Sequence, residues 1–305
     1  MSDIIVIGAG AAGMTAALYA LRNGKTVTIF EQETIGGQIA SSPRVENFPT
    51  YNRISGLELS EKLFDQITAL GAELEFGKII SVKKQEEGKF ILTSDDGTEH
   101  MAKSVIIAAG VKHKHIGIDK EEELTGKGIS YCAVCDGAFY SGEEVALIGD
   151  GNTALQYSIL LSEYCKKVYV CTWFDKFFGD EALVKTLRSI KNIEVIPNVS
   201  LSAFEGTDEL SGLTFTRRTD NTKFSLPVKG CFIAIGQIPD NKIYSPLVDL
   251  DKDGYIIADE TGMTATKGIF AAGDCRTKKV RQLTTAISDG ANCALNACSY
   301  ILSLN

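Results

Sequence analysis

This sequence has no apolar run long enough to cross a membrane. Its longest runs, at residues 105–110 and 231–235, are strand-length, well short of the roughly 20 residues that a spanning helix requires. A basic leader is also missing: Met1-Ser2-Asp3 leads straight into an apolar strand, with no small-residue cleavage site. Secretion is therefore not expected, and the cytoplasm is the expected compartment. Nor is there an excess of positive charge. Against 39 acidic side chains stand 31 Lys and Arg, a formal net charge of −8, which argues against non-specific binding to nucleic acid or anionic membranes. Histidine is scarce, limited to His100, His113 and His115. A zinc site built on a cysteine pair would therefore lack its remaining ligands, and no metal is expected.

What the chain does have is length, apolar content and two glycine fingerprints. With 305 residues, 44% of them hydrophobic, it can bury two domain-sized cores. The first fingerprint, Gly8-Ala9-Gly10-Ala11-Ala12-Gly13, follows an apolar strand at 4–7 and opens a helical pattern at 12–21. Gly8 permits the tight turn, Gly10 lets backbone approach a pyrophosphate, and Gly13 allows close helix–strand packing. Glu31 ends the next strand, where an acid binds an adenosine ribose hydroxyl. The second fingerprint, Gly149-Asp150-Gly151-Asn152-Thr153-Ala154, follows a strand at 145–148 and precedes a helix at 153–163 and a strand at 168–171. Its downstream partners are absent. Thr172-Trp173-Phe174-Asp175-Lys176-Phe177-Phe178 offers no acid at the strand end and no arginine for a 2′-phosphate, and Asp150 puts a carboxylate inside the loop. The second site is expected to be vestigial.

The two βαβ units imply an α/β fold of two doubly wound, Rossmann-like dinucleotide-binding domains. Alternating segments at 78–84, 89–93 and 98–101, with turns at Glu87-Gly88 and Asp96-Gly97, read as a meander before an apolar strand at 105–108. The second half repeats this with 199–204, 213–217, 223–226 and a strand at 232–235. A strand-like Gly268-Ile269-Phe270-Ala271-Ala272-Gly273-Asp274 and a helical pattern at 283–302 have no glycine loop of their own, so they are expected to rejoin the first domain. The expected division is 1–114 and 240–305 for the first domain, with 115–239 inserted.

Cys132-Ala133-Val134-Cys135 has the spacing of a redox-active disulfide, and Asp136 is placed to exchange a proton with a departing thiolate. Cys165, Cys171, Cys231, Cys293 and Cys298 lie in apolar-periodic segments and read as core residues.

Together with Gly36-Gly37-Gln38, Glu46-Asn47-Phe48-Pro49, Ala108-Ala109-Gly110, Cys135-Asp136-Gly137 and Arg281-Gln282, these motifs make the whole chain resemble the low-molecular-weight thioredoxin reductases. The resemblance implies a homodimer with non-covalent FAD and thioredoxin as electron acceptor. It places cofactor contacts at Gly8, Gly10, Ala11, Ala12, Gly13, Glu31, Gln32, Gly37, Gln38, Asn47, Ala109, Gly110, Gly273, Asp274, Arg281, Gln282 and Leu283. It further implies that Cys135 faces the flavin, that Cys132 attacks the thioredoxin disulfide, and that one domain swings on hinges near 112–117 and 237–241.

NADPH-dependent members carry a His-Arg-Arg-x-x-x-Arg segment after the second strand, and this chain has no arginine there. In that respect it is similar to the ferredoxin-dependent flavin thioredoxin reductases. The expected donor is accordingly ferredoxin, with flavodoxin second, and NADPH is not expected. The run Arg276-Thr277-Lys278-Lys279-Val280-Arg281 reads either as a solvated loop or as the patch that steers an acidic donor; Lys112-His113-Lys114-His115 reads as a solvated loop. The alternatives are a dithiol oxidase of the same fold, an NAD(P)H-dependent reductase with a diverged pocket, and a non-catalytic flavin redox sensor.

Overall fold

The computed structural model describes residues 1–40, 42, 45, 47–85 and 88–304, with the side chains of Val134, Cys135 and Gln237 left out. Glu46 of the Glu46-Asn47-Phe48-Pro49 motif and Glu87 of the expected turn lie outside the described residues. The chain divides into two compact units, Met1–Lys112 with Ile238–Asn305, and His113–Gln237.

In the first unit the strands Glu73–Phe76, Val27–Glu31, Ser2–Ile7 and Glu99–Ile107 run parallel in that spatial order. Phe90–Ser94 and Ile79–Lys84 extend the sheet antiparallel. Alternation sends Ile4 and Val6 to one face and Ile5 and Ile7 to the other. Both faces are covered, which is why every residue of Val27–Glu31 is buried. On one face lie the helices Ala11–Arg22 and Leu283–Leu302. Their close approach depends on small residues: a Cβ at Gly290 would collide with the carbonyl oxygen of Ala12.

One expectation needs correction. The third meander segment and the apolar strand at 105–108 are one strand of 9 residues, Glu99–Ile107. Its first half pairs antiparallel with Phe90–Ser94, and its second half pairs parallel with Ser2–Ile7 and with Ile269–Ala271. The polar residues at its middle are satisfied within the strand's surroundings. Lys103 Nζ reaches Asp3 Oδ1 at 2.8 Å, and buried Ser104 Oγ donates to Gly268 O at 2.8 Å. The pairing of Ile269–Ala271 also places the C-terminal segment in the first unit.

The second unit holds a parallel sheet ordered Ile193–Ile196, Lys167–Cys171, Glu144–Ile148, Gly230–Ile233, Ile129–Ser130, with the helix Asn152–Tyr164 packed on it. A separate antiparallel sheet comprises Val199–Gly206, Leu210–Arg217 and Lys223–Leu226. The strand expected at 232–235 is Gly230–Ile233 instead. Ala234 N–H still donates to Ile148 O at 2.8 Å, and Ala234 O lies against Gly149, where a Cβ would collide. Gly8 meets Ala108 O in the same way in the first unit. The second unit's ends are joined by Lys114 N–H donating to Gly236 O at 2.9 Å. No helix among the described residues is long and apolar enough to cross a membrane.

Candidate functional site

The first glycine loop closes on itself and leaves one side open. Gly8 has φ 104°, and a Cβ at Gly13 would collide with Gly8 O, so both glycines are required by the turn and by helix packing. Gly10 is different: a Cβ there would meet nothing nearer than Gly36 O at 4.0 Å. The space beside it is open to a ligand. Gly10 caps the helix Ala11–Arg22 without any side-chain cap or acidic residue in the first turn, so its N–H groups and positive dipole end remain available to a phosphate.

Around this cradle the structure gathers most of the residues singled out in the sequence. Buried Glu31 accepts the Ala9 and Glu33 N–H groups, each at 2.8 Å, through its two oxygens. Gly36 N–H donates to Ala9 O at 2.8 Å, which brings Gly37 against Gly10, and Gln38 Nε2 donates to Val111 O at 3.3 Å, next to Ala109 and Gly110. Gly273 packs against Ala12, with room for a Cβ only 2.9 Å from the Ala12 methyl. Asn47 Nδ2 donates to Gln282 Oε1 at 3.0 Å, and Gln282 caps the helix that Leu283 begins. Gln32 stands apart, with its amide donating to Glu33 at 3.4 Å on the surface.

Two atoms here are buried without a partner, Asp274 Oδ1 and Arg281 Nε. Burial pushes the Asp274 carboxyl above its ordinary value, and Lys278 and Arg281 only partly offset this. An open phosphate cradle, a buried acid with an unpartnered oxygen and an orphaned guanidinium nitrogen fit the pyrophosphate and hydroxyl groups of FAD.

The second glycine loop has the same backbone and different side chains. Phe178 N–H donates to Asp150 O at 2.7 Å, and Gly151 bridges Phe178 as Gly10 bridges Gly36. Phe178 therefore stands where the first unit has a glycine. It is 54% exposed, close to Trp173 at 49% and Phe174 at 43%, and its ring meets Phe174 edge-on at 5.2 Å. Burial raises the Asp150 carboxyl, and no neighbouring cation counters it. The segment 172–178 has no arginine of its own, but the fold brings one to it from a distant strand end. The Arg218 guanidinium lies 4.1 Å from the Trp173 ring centroid, and Nη1 donates to Trp173 O at 2.8 Å. Spatial proximity alone reveals it; no sequence spacing links 173 to 218.

Cys132 is disulfide-bonded and precedes the helix Ala133–Asp136. Cys135 lies on that helix, and its side chain is outside the described residues. Ser130, which sequence reasoning missed, is buried between the two polar groups of this segment. Its Oγ donates to Asp136 Oδ2 at 2.6 Å and accepts Cys132 N–H at 3.0 Å. Beside them Tyr131 donates to Glu121 Oε1 at 2.6 Å. Burial would raise the Glu121 carboxyl, but bonds from Tyr131, Ile116 and Gly117 outweigh it and hold it low. The remaining cysteines are free and buried. Burial pushes the Cys165 thiol up to about 11 and Cys275 up to about 12, so they are poor thiolates. No cluster of three metal-ligating side chains occurs among the described residues.

Two cations of the basic run 276–281 face inward, while Lys279 is exposed. Arg276 is 2% exposed and pairs with Asp289 at 2.8 Å. The Lys278 side chain, 5% exposed, reaches the same carboxylate at 2.8 Å. These cations are committed to a buried acid.

Residues 2–290 match the family model described as pyridine nucleotide-disulphide oxidoreductase. The chain is 37% identical to a thioredoxin reductase of Listeria monocytogenes over 304 residues, covering 99% of this chain and 94% of that protein. Among solved structures it is similar to Lactococcus lactis thioredoxin reductase, with a TM-score of 0.96, 32% identity and coverage of 99% and 100% of the two chains. It is also similar to a ferredoxin-flavin thioredoxin reductase from Clostridium acetobutylicum, with a TM-score of 0.55, 29% identity and coverage of 100% and 99%.

Proposed function

This chain belongs to the pyridine nucleotide-disulphide oxidoreductase family as a thioredoxin reductase-type flavoprotein, and we propose that it takes electrons from a one-electron carrier protein to reduce thioredoxin disulfide. The expected carrier is ferredoxin, with flavodoxin second. FAD would be held by the first glycine loop, Glu31, Gln38, Asp274, Arg281 and Gln282, and would supply two-electron reduction of the Cys132–Cys135 disulfide. Asp136, oriented by Ser130, would exchange a proton with the thiolate that departs as the disulfide opens, taking that proton up first from solvent or an incoming thiol. A homodimer in the cytoplasm is part of the same proposal and rests on the family resemblance.

The observation that carries the choice of donor is Asp150, a partly buried carboxylate in the second glycine loop with no cation among the groups that shift it. A bulky aromatic occupies the position at which the first cradle needs glycine, beside an uncompensated Asp150. The space beside Gly151 is open, so what NADPH phosphates would meet there is the like charge of Asp150. The test is anaerobic flavin reduction, followed by absorbance, with thioredoxin present. Rapid reduction by ferredoxin and none by micromolar NADPH supports the proposal, and NADPH reduction at turnover rates overturns it.

Arg218 favours a second reading, in which a pyridine nucleotide uses the diverged pocket and this guanidinium meets its phosphate. Under that reading Arg218→Ala slows reduction by NADPH. Under the first it leaves reduction by ferredoxin unchanged.

A further inference from the structure

The FAD reading assigns roles to Asp274, Arg281 and Gln282, but it does not say what holds their segment in place. Asp289 lies on the terminal helix Leu283–Leu302 and is 3% exposed. Its Oδ2 accepts Gly273 N–H at 3.0 Å, Arg276 Nε at 3.0 Å and Lys278 Nζ at 2.8 Å, and its Oδ1 accepts Arg276 Nη2 at 2.8 Å. One carboxylate thus grips the segment at both sides of Asp274. The next residue, Gly290, presses against Ala12 O inside the glycine fingerprint. The adjacent residues Asp289 and Gly290 therefore set the spacing between the phosphate cradle and the segment that carries the orphaned Asp274 Oδ1 and Arg281 Nε. Burial would raise the Asp289 carboxyl, but bonds from Arg276 and Lys278 hold it below its ordinary value, so it stays ionised as the grip requires.

We propose that Asp289 is a positioning residue for the flavin, acting through Gly273, Arg276 and Lys278 and making no contact with the cofactor itself. The inference rests on the FAD reading of the first site. It also gives Lys278 a task other than steering a partner.

The test compares purified holoenzymes of wild type, Asp289→Asn and Lys278→Met. Lys278→Met keeps the Arg276–Asp289 fork, so it decides the matter if Asp289→Asn does not fold. FAD dissociation is measured by release of flavin fluorescence on dilution, alongside the flavin absorption bands and midpoint potential. For Lys278→Met the expected result is an FAD dissociation constant raised about tenfold, with shifted visible bands and unchanged circular dichroism. For Asp289→Asn the loss is larger. Wild-type FAD affinity and unshifted bands in Lys278→Met, with only a lower melting temperature, would show a merely structural role and overturn the inference. Failure of the wild-type protein to bind FAD would instead overturn the reading on which it rests.

Discussion

At the scale of single residues, the dithiol segment is organised by a serine. Ser130 Oγ has one proton and gives it to Asp136, so Ser130→Ala leaves that carboxylate without its orienting donor. Hydrogen bonds to charged groups are worth about 1.5–3 kcal/mol, and turnover with thioredoxin is expected to fall about tenfold or more while FAD content stays constant. Steady-state rates at matched flavin concentration check this. Cys132→Ser is expected to keep FAD and to abolish reduction of thioredoxin disulfide; retained turnover would remove Cys132 from the relay. The motif Cys132-Ala133-Val134-Cys135 is visible to any reader of the sequence because its chemistry is local. Ser130, Arg218 and Asp289 are not, since each acts through contacts that depend on how distant segments pack.

At the scale of elements, the crossing of Ala11–Arg22 and Leu283–Leu302 leaves no room for a side chain at Gly290. Ala exceeds Gly in helix propensity by about 1 kcal/mol, so Gly290→Ala would stabilise an isolated helix. Here the added methyl meets the backbone carbonyl of Ala12, which no rotamer change relieves. The net expectation is destabilisation by about 1–3 kcal/mol, read as a lower urea midpoint. Asp289 adds a pH dependence. Its folded carboxyl lies below the unfolded value, so its contribution is complete above the unfolded pKa of about 4 and is lost as pH falls through the folded one. As pH falls below about 4, wild type should lose stability more steeply than Asp289→Asn, as denaturation midpoints at successively lower pH would show.

The βαβ units are legible in the sequence because glycine loops and apolar strands are short-range signals. The continuity of Glu99–Ile107 is not, because its two halves pair with different strands, one antiparallel and one parallel, which only the assembled sheet shows.

At the scale of the whole molecule, two units with separate cores should respond differently to the cofactor. Ligand binding stabilises only the folded unit that binds it, by RT ln(1 + [L]/Kd). Removing FAD is expected to lower the melting temperature of the first unit and leave that of residues 113–237 unchanged. Calorimetry with and without added FAD resolves the two transitions, and an equal shift in both would contradict the assignment of the site.

The hydrogen bond from Lys114 to Gly236 has a consequence for engineering. Because the inserted unit leaves and re-enters its host at neighbouring points, residues 113–237 are a removable cassette. A short glycine–serine bridge from Lys112 to Ile238 would join the host segments and yield a minimal flavodomain. The excised piece, with its ends already side by side, is suited to circular permutation.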